Sequence, residues 1–187
     1  IIFESIKEFS DRFHFGLQTN AILLEQKDVE FLKVYRVGVG ISLDAASASL
    51  NNRTRPTVGT ERGSTTPTTG SRSAKIGGNF QSAVQAIEWF DGYAGLNVIA
   101  TMTKFNLRGL PKLVEFLHRK KVPCVLLNPV RLTQKSSHSV KPDEKLMAKY
   151  FLQAVDTAIK LSEESGQRII VANFTNTILG IIAPTAR

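Results

Sequence analysis

The stretch Val37 to Asp44, VGVGISLD, is an apolar, β-branched run that closes in polar side chains, and the same construction recurs along the chain. Such a run fits a strand buried on both faces, the setting of a parallel sheet, with Ser42 and Asp44 carried out at its carboxyl end. His14 to Thr19 finishes in the same style at Gln18, Thr19 and Asn20. Leu96 to Met102 leads to Thr101, Thr103, Lys104 and Asn106, and Val122 to Leu127 leads to Asn128, Pro129 and Arg131. Ile169 to Ala172 reads as a short fifth strand.

Helical spacing fills the intervals. Apolar residues recur every three or four positions from Ile1 to Phe13, and Lys27 to Val34 offers Val29, Phe31, Leu32 and Tyr35 as an inner side. Asn79 is placed to cap a helix over Phe80 to Tyr93 facing inward through Val84, Ile87 and Phe90. Leu110 to Arg119 buries Leu113, Val114, Phe116 and Leu117. Pro142 to Ser165 is a long helix with Pro142 in its first turn and Leu146, Tyr150, Val155, Ile159 and Leu161 inward, and Phe174 to Ile182 is a short apolar one.

Strand–helix units of about thirty residues call for a parallel sheet covered by helices. Right-handed crossovers then set every strand tip along one edge, where α/β proteins put their ligands. A doubly wound sheet would show a glycine-rich phosphate loop after its first strand, and neither GxGxxG nor GxxxxGK occurs. The expected fold is therefore α/β, a parallel-strand sector of a partial TIM-type barrel forming a single domain over 1–187. From 44 to 78 neither period holds beyond a short helical turn at Ala45 to Leu50; residues 57–76 read as a mobile loop, either a tolerated insertion or a lid over the site.

The net charge of +8 is compatible with nucleic acid, an anionic ligand or a solubilising surface. Its distribution decides. Basic residues gather in two irregular segments, 53–75 and 131–145, without a helix-borne stripe or interleaved aromatics, which favours an anion-binding mouth over nucleic acid. Cys124 is the single cysteine and follows Pro123 into an apolar run, so it reads as a buried thiol; no disulfide and no CxxC-type metal site can be built from it. His14, His118 and His138 are dispersed without ligand spacing. With no signal-peptide pattern and no long apolar run, and with a first residue other than methionine, the chain reads as part of a cytoplasmic protein that does not enter a membrane.

Strand periodicity pairs Gln18 with Asn20, Ser42 with Asp44, and Thr101 with Thr103, a band of donors and acceptors suited to a nucleoside or amino-acid moiety. Each has a duller role open to it: a loop amide, a hydroxyl bonded to backbone, a cap for 45–50. Arg55 is close enough behind the second strand to return over its tip and bind a carboxylate. No paired carboxylates, GxSxG or Cys/His arrangement suggests a reaction.

Taken in order, FHFGLQTNAILL, VGVGISLDAASASLNNRTRPTVG and NVIATMTKFNLRGLPKLVEFLHRKKVP resemble the central part of the radical S-adenosylmethionine enzymes, in particular the SPASM-containing branch that includes the anaerobic sulfatase-maturing enzymes. The resemblance implies a partial (β/α)6 barrel, an S-adenosylmethionine cofactor, a [4Fe-4S] cluster and 5′-deoxyadenosyl radical chemistry on a peptide, protein or small-molecule substrate. It also implies that Gln18, Thr19, Asn20, Ser42, Asp44, Thr101 and Thr103 border the cofactor, that Arg55 holds its carboxylate, and that Gly59 matches the glycine behind that arginine. Three departures stand against it. Ala45 replaces the usual glycine after SLD, the link from Gly59 to Phe80 is long, and the CxxxCxxC triplet, the GGEP-like strand end and the auxiliary-cluster cysteines do not occur in these residues. A cluster-less barrel serving as a binding or scaffold domain is the rival, and an unrelated α/β enzyme with Arg55 turned to solvent is the third reading.

Overall fold

A computed structural model describes residues 14–55, 79–131, 133 and 138–183. The helix expected over 1–13, the loop 57–76 with Gly59, and Lys135 lie outside the described residues.

The elements are β1 (Gly16–Thr19), α1 (Gln26–Val34), β2 (Gly38–Ser42), α2 (Ala48–Thr54), α3 (Asn79–Phe90), β3 (Leu96–Met102), α4 (Leu110–Arg119), β4 (Cys124–Pro129), α5 (Glu144–Ser165), β5 (Ile170–Val171) and α6 (Ala172–Ile182). All five strands are parallel and lie in the order β1-β2-β3-β4-β5. The order never reverses, so there is no switch point of the doubly wound kind, and the sheet is the sector of a partial (β/α) barrel.

Alternation along the strands separates two faces. On one, Val39, Ile41, Leu96, Val98, Ala100, Val125 and Leu127 are all but completely buried and form a core with the inner sides of the helices. The other, reached by the register Gly16 to Gly38, Gln18 to Gly40 and Gly40 to Asn97, carries glycine and polar residues together with Ile99 and Leu126 and is less covered. That second face is the concave side of the barrel sector.

Local chemistry accounts for the helix ends. The Glu25 N–H donates to the Asp28 carboxylate at 2.9 Å to start α1. Asp143 caps α5 by accepting from the Leu146 N–H at 2.9 Å, and Gly166, at φ 73, ends that helix in the left-handed conformation. Pro142 thus precedes the cap and does not sit in the first turn. Asn79 is the first residue of α3, and its Nδ2 donates to the Arg55 carbonyl at 3.0 Å, so it ties α3 to the end of α2.

Several packing expectations change. Alanines 83 and 86 join Ile87 and Phe90 as the buried side of α3, leaving Val84 half-buried. Phe31 is exposed on α1 and packs its ring on Tyr35 instead of on the sheet. In α5 the buried positions are Ala154, Val155 and Ala158, whereas Leu146 and Ile159 are exposed. Small residues carry these contacts because a close helix-to-sheet approach leaves no room for longer ones. The short helical turn after Asp44 begins at Ala48, three residues later than its sequence suggests, and runs to Thr54.

β5 has only two residues. Beyond it the side chain of Asn173 takes over the edge of β4: its Oδ1 accepts from the Leu127 N–H at 2.8 Å, and its Nδ2 donates to Asn128 Oδ1 at 2.9 Å.

Candidate functional site at the strand tips

The tips of β2 and β3 are fastened together by amides. Asn106 is 1% exposed, and its Nδ2 donates to the carbonyls of Asp44 at 2.9 Å and Thr101 at 2.8 Å. Its Oδ1 accepts from the Thr103 N–H at 2.8 Å and from the Thr103 hydroxyl at 3.2 Å. Asn51, fully buried on α2, accepts the Asp44 N–H on Oδ1 at 2.8 Å. The peptide groups of Asp44 are therefore fixed from both sides, and the direction of its side chain follows.

That side chain is 2% exposed and has two neighbours. Oδ1 accepts from the Thr101 N–H at 2.8 Å, and Oδ2 lies 2.8 Å from Arg55 Nε in an ion pair. Arg55 also donates from Nη2 to the Thr101 hydroxyl at 3.4 Å, and its side chain stays 28% exposed. The guanidinium is thus oriented by a buried carboxylate while part of it faces outward. Asp44, Arg53, Thr54, Arg55, Thr101, Thr103, Phe105, Val130 and Val140 line a cavity of about 240 Å³ there. Its far wall is held by the Lys104 N–H donating to the Val140 carbonyl at 3.0 Å and the Val130 N–H donating to the Met102 carbonyl at 3.1 Å.

A second hollow, about 360 Å³, lies lower on the concave face between Gly16, Leu17, Gln18, Gly38, Gly40 and Asn97. Gly40 is required there by proximity: a Cβ would come within 2.8 Å of Ile99 Cδ1, 3.1 Å of Asn97 Oδ1 and 3.3 Å of Gln18 Cγ. Asn97 Oδ1 is buried in this hollow without a hydrogen-bond donor among the described residues.

The residues singled out in the sequence divide accordingly. Gln18 is exposed on the concave face. Thr19 pairs with Ile41 on the helix side and accepts the Ala21 N–H on Oγ1 at 3.0 Å. Asn20 Oδ1 accepts the Ile22 N–H at 3.2 Å, the loop-amide role left open by the sequence. Ser42 is half-buried opposite Ile99. Asp44, Arg55, Thr101 and Thr103 meet at the cavity, with the Thr103 hydroxyl engaged by Asn106. Arg55 points inward, against the reading that turned it to solvent.

Arg53 and Phe105 complete the mouth and were not singled out. The Arg53 guanidinium carbon lies 4.1 Å from the Phe105 ring centroid, and Lys104 Nζ 5.2 Å from the same centroid. Asn51 and Asn106 were likewise missed as organisers; their only signal in the sequence is an amide just beyond a polar strand tip. Cys124 opens β4 half-buried, and burial pushes its thiol pKa up, which makes it a poor nucleophile.

The donor set of the cavity suits part of S-adenosylmethionine: the oriented, partly open Arg55 guanidinium suits its methionyl carboxylate, and threonine hydroxyls stand beside it. A [4Fe-4S] cluster does not fit these residues. One cysteine cannot supply its thiolates, and no group of three or more His, Cys, Asp or Glu side chains converges among the described residues.

No family model matches the chain. It is 36% identical over 186 residues to an uncharacterized protein of Archaeoglobus fulgidus, a match covering 100% of this chain and 39% of that protein. Among solved structures it is similar to native anSMEcpe with bound AdoMet and the Kp18Cys peptide (TM-score 0.69, 17% identity, 98% of this chain and 49% of that one). It is also similar to Streptococcus suis SuiB bound to S-adenosylmethionine (TM-score 0.57, 14% identity, 91% of this chain and 35% of that one). The chain spans half or less of the length of each of these relatives. Its five parallel strands and flanking helices share the partial (β/α)-barrel fold of anSMEcpe and SuiB.

Proposed function

We propose that this chain is the S-adenosylmethionine-binding part of a radical enzyme that modifies a peptide or protein, with 1–187 as one barrel domain and the iron ligands elsewhere in the parent protein. The observation that carries the reading is Arg55, oriented by Asp44 and Thr101 over the joined tips of β2 and β3. S-adenosylmethionine, when bound, would supply the 5′-deoxyadenosyl group that takes a substrate hydrogen, its bond to sulfur being broken by one electron from the parent protein's cluster with methionine as the leaving group. This chain's residues supply position: Arg55 for the methionyl carboxylate, Thr101 beside it, Gln18 and Ser42 along the concave face, and Asn20 through the turn it closes beyond β1 by accepting the Ile22 N–H. Thr19, Asp44 and Thr103 serve as positioning residues, because their side chains are bonded to Ala21, Arg55 and Asn106.

A peptide or protein substrate is supported by the peptide complexes of anSMEcpe. No helix among the described residues is long and apolar enough to cross a membrane.

Calorimetric titration of the full chain with S-adenosylmethionine tests the reading. Saturable binding is expected, weakened about tenfold or more by Arg55→Ala, since a charge-assisted contact is worth roughly 1.5–3 kcal/mol. No heat of binding, or an Arg55→Ala variant as tight as the parent, sinks it. Iron content of the parent protein after anaerobic reconstitution separates it from a cluster-less scaffold.

A further inference from the structure

We propose that the mouth of the cavity reads an acidic side chain of a peptide substrate, with Arg53 as the specificity-determining residue and Lys104 as its second cation. The inference rests on the function proposed above and gives that site its substrate class.

Charge and shape both carry it. Arg53, Arg55 and Lys104 stand around the mouth, and among the described residues Asp44 is the one carboxylate lining the cavity. Both Asp44 oxygens are already engaged, by Arg55 Nε and the Thr101 N–H. Arg53 and Lys104 flank the same Phe105 ring, and no carboxylate pairs with either among the described residues. Two like charges beside one ring repel each other, and an incoming anion relieves that repulsion. Arg53 is exposed whereas Arg55 is held inward, so the two can take different anions: Arg55 the cofactor's, Arg53 one arriving from solvent. Val130, Val140 and Phe105 give the cavity an apolar wall, which suits the methylene stem of a glutamate and an aliphatic neighbour. A nucleic acid would call for a basic stripe with bases stacked on exposed rings.

The probe is a fluorescent peptide of alternating glutamate and valine, with a glutamine–valine counterpart, titrated into the full chain by anisotropy. The glutamate peptide is expected to bind about tenfold tighter than the glutamine one, and Arg53→Ala to remove most of that difference. Arg53→Lys should restore part of it. Because Arg53 is exposed, the urea midpoint of the same variant should not change, which separates lost recognition from lost folding. Equal affinity for the two peptides overturns the proposal, and so does an Arg53→Ala variant that discriminates like the parent. Competition by short single-stranded DNA as strong as that by unlabelled peptide would also overturn it, in favour of a nucleic acid. Peptide discrimination without S-adenosylmethionine binding would sink the cofactor reading alone; cofactor binding without discrimination would sink this one alone.

Discussion

Arg55 and Asp44 form a one-sided ion pair: the carboxylate is 2% exposed, whereas the arginine keeps 28% of its side chain open. The buried partner fixes a direction, and the open one keeps capacity for a second anion. Asp44→Asn preserves the shape and removes the charge. S-adenosylmethionine affinity is expected to fall several-fold with little loss of fold. Asp44→Ala also abandons the Thr101 N–H and should cost about 1–3 kcal/mol, less than a fully buried pair because Arg55 can turn to water. Urea titration of both variants beside calorimetry checks the two effects; an Asp44→Asn variant with undiminished affinity would remove Asp44 as the orienting group.

Asn106 is the costlier residue to lose. Asn106→Ala leaves two carbonyls and the Thr103 N–H without their partner in a buried setting, so a loss of roughly 2–4 kcal/mol is expected. Asn106→Asp keeps the acceptor for Thr103 but not the two donated bonds, and should fail nearly as badly. The urea midpoint reads this directly, and a change under about 0.5 kcal/mol, the scale of an ordinary surface substitution, would contradict the network.

Gly40→Ala tests the lower hollow. The added methyl would meet Ile99 Cδ1 at 2.8 Å, the far end of a flexible side chain, so the fold should yield at a cost of about 1 kcal/mol. Ligand affinity is expected to drop more than stability does, if the hollow belongs to the binding face. The reverse ranking would assign Gly40 to packing alone.

Tyr93 gives the protein an alkaline dependence. Its hydroxyl donates to the Val37 carbonyl at 2.9 Å, and burial raises its pKa above the ordinary tyrosine value. A raised folded-state value means that the unfolded chain ionises first. The contribution is therefore complete below about pH 10 and is lost as pH climbs through the folded value. Tyr93→Phe should lower stability near neutrality by about 1 kcal/mol and flatten the alkaline slope between wild type and variant. An unaltered slope in denaturant titrations would assign the dependence to other groups.

What the sequence disclosed was periodic. β3 and α4 stand where their apolar spacing puts them, Leu96–Met102 and Leu110–Arg119, because a fully buried strand and a strongly amphipathic helix leave no second register. The strand tips were legible for the same reason. The direction of each tip side chain was not, because Asn51 and Asn106 decide it across 7 and 62 residues of sequence, and a lone asparagine after a strand carries no mark of its partner. Thr19 fell on the helix side through simple alternation: with Gln18 on the concave face, its neighbour cannot be there as well. The inward sides of α3 and α5 were misjudged toward large residues, since spacing ranks hydrophobes by size and packing selects them by fit.

The sheet is not held equally along its width. β2 and β3 share four register positions, and β3 and β4 five, whereas β5 meets β4 at two before an asparagine side chain takes over from backbone. A seam of that kind opens at a lower free energy than the rest of the sheet. Amide protons around Val171 should therefore exchange with solvent well before those of Val98, so that the C-terminal edge behaves as a separate cooperative unit. The barrel's central strands would keep their order, and with it the aim of Arg55, through openings that release the last strand and helix.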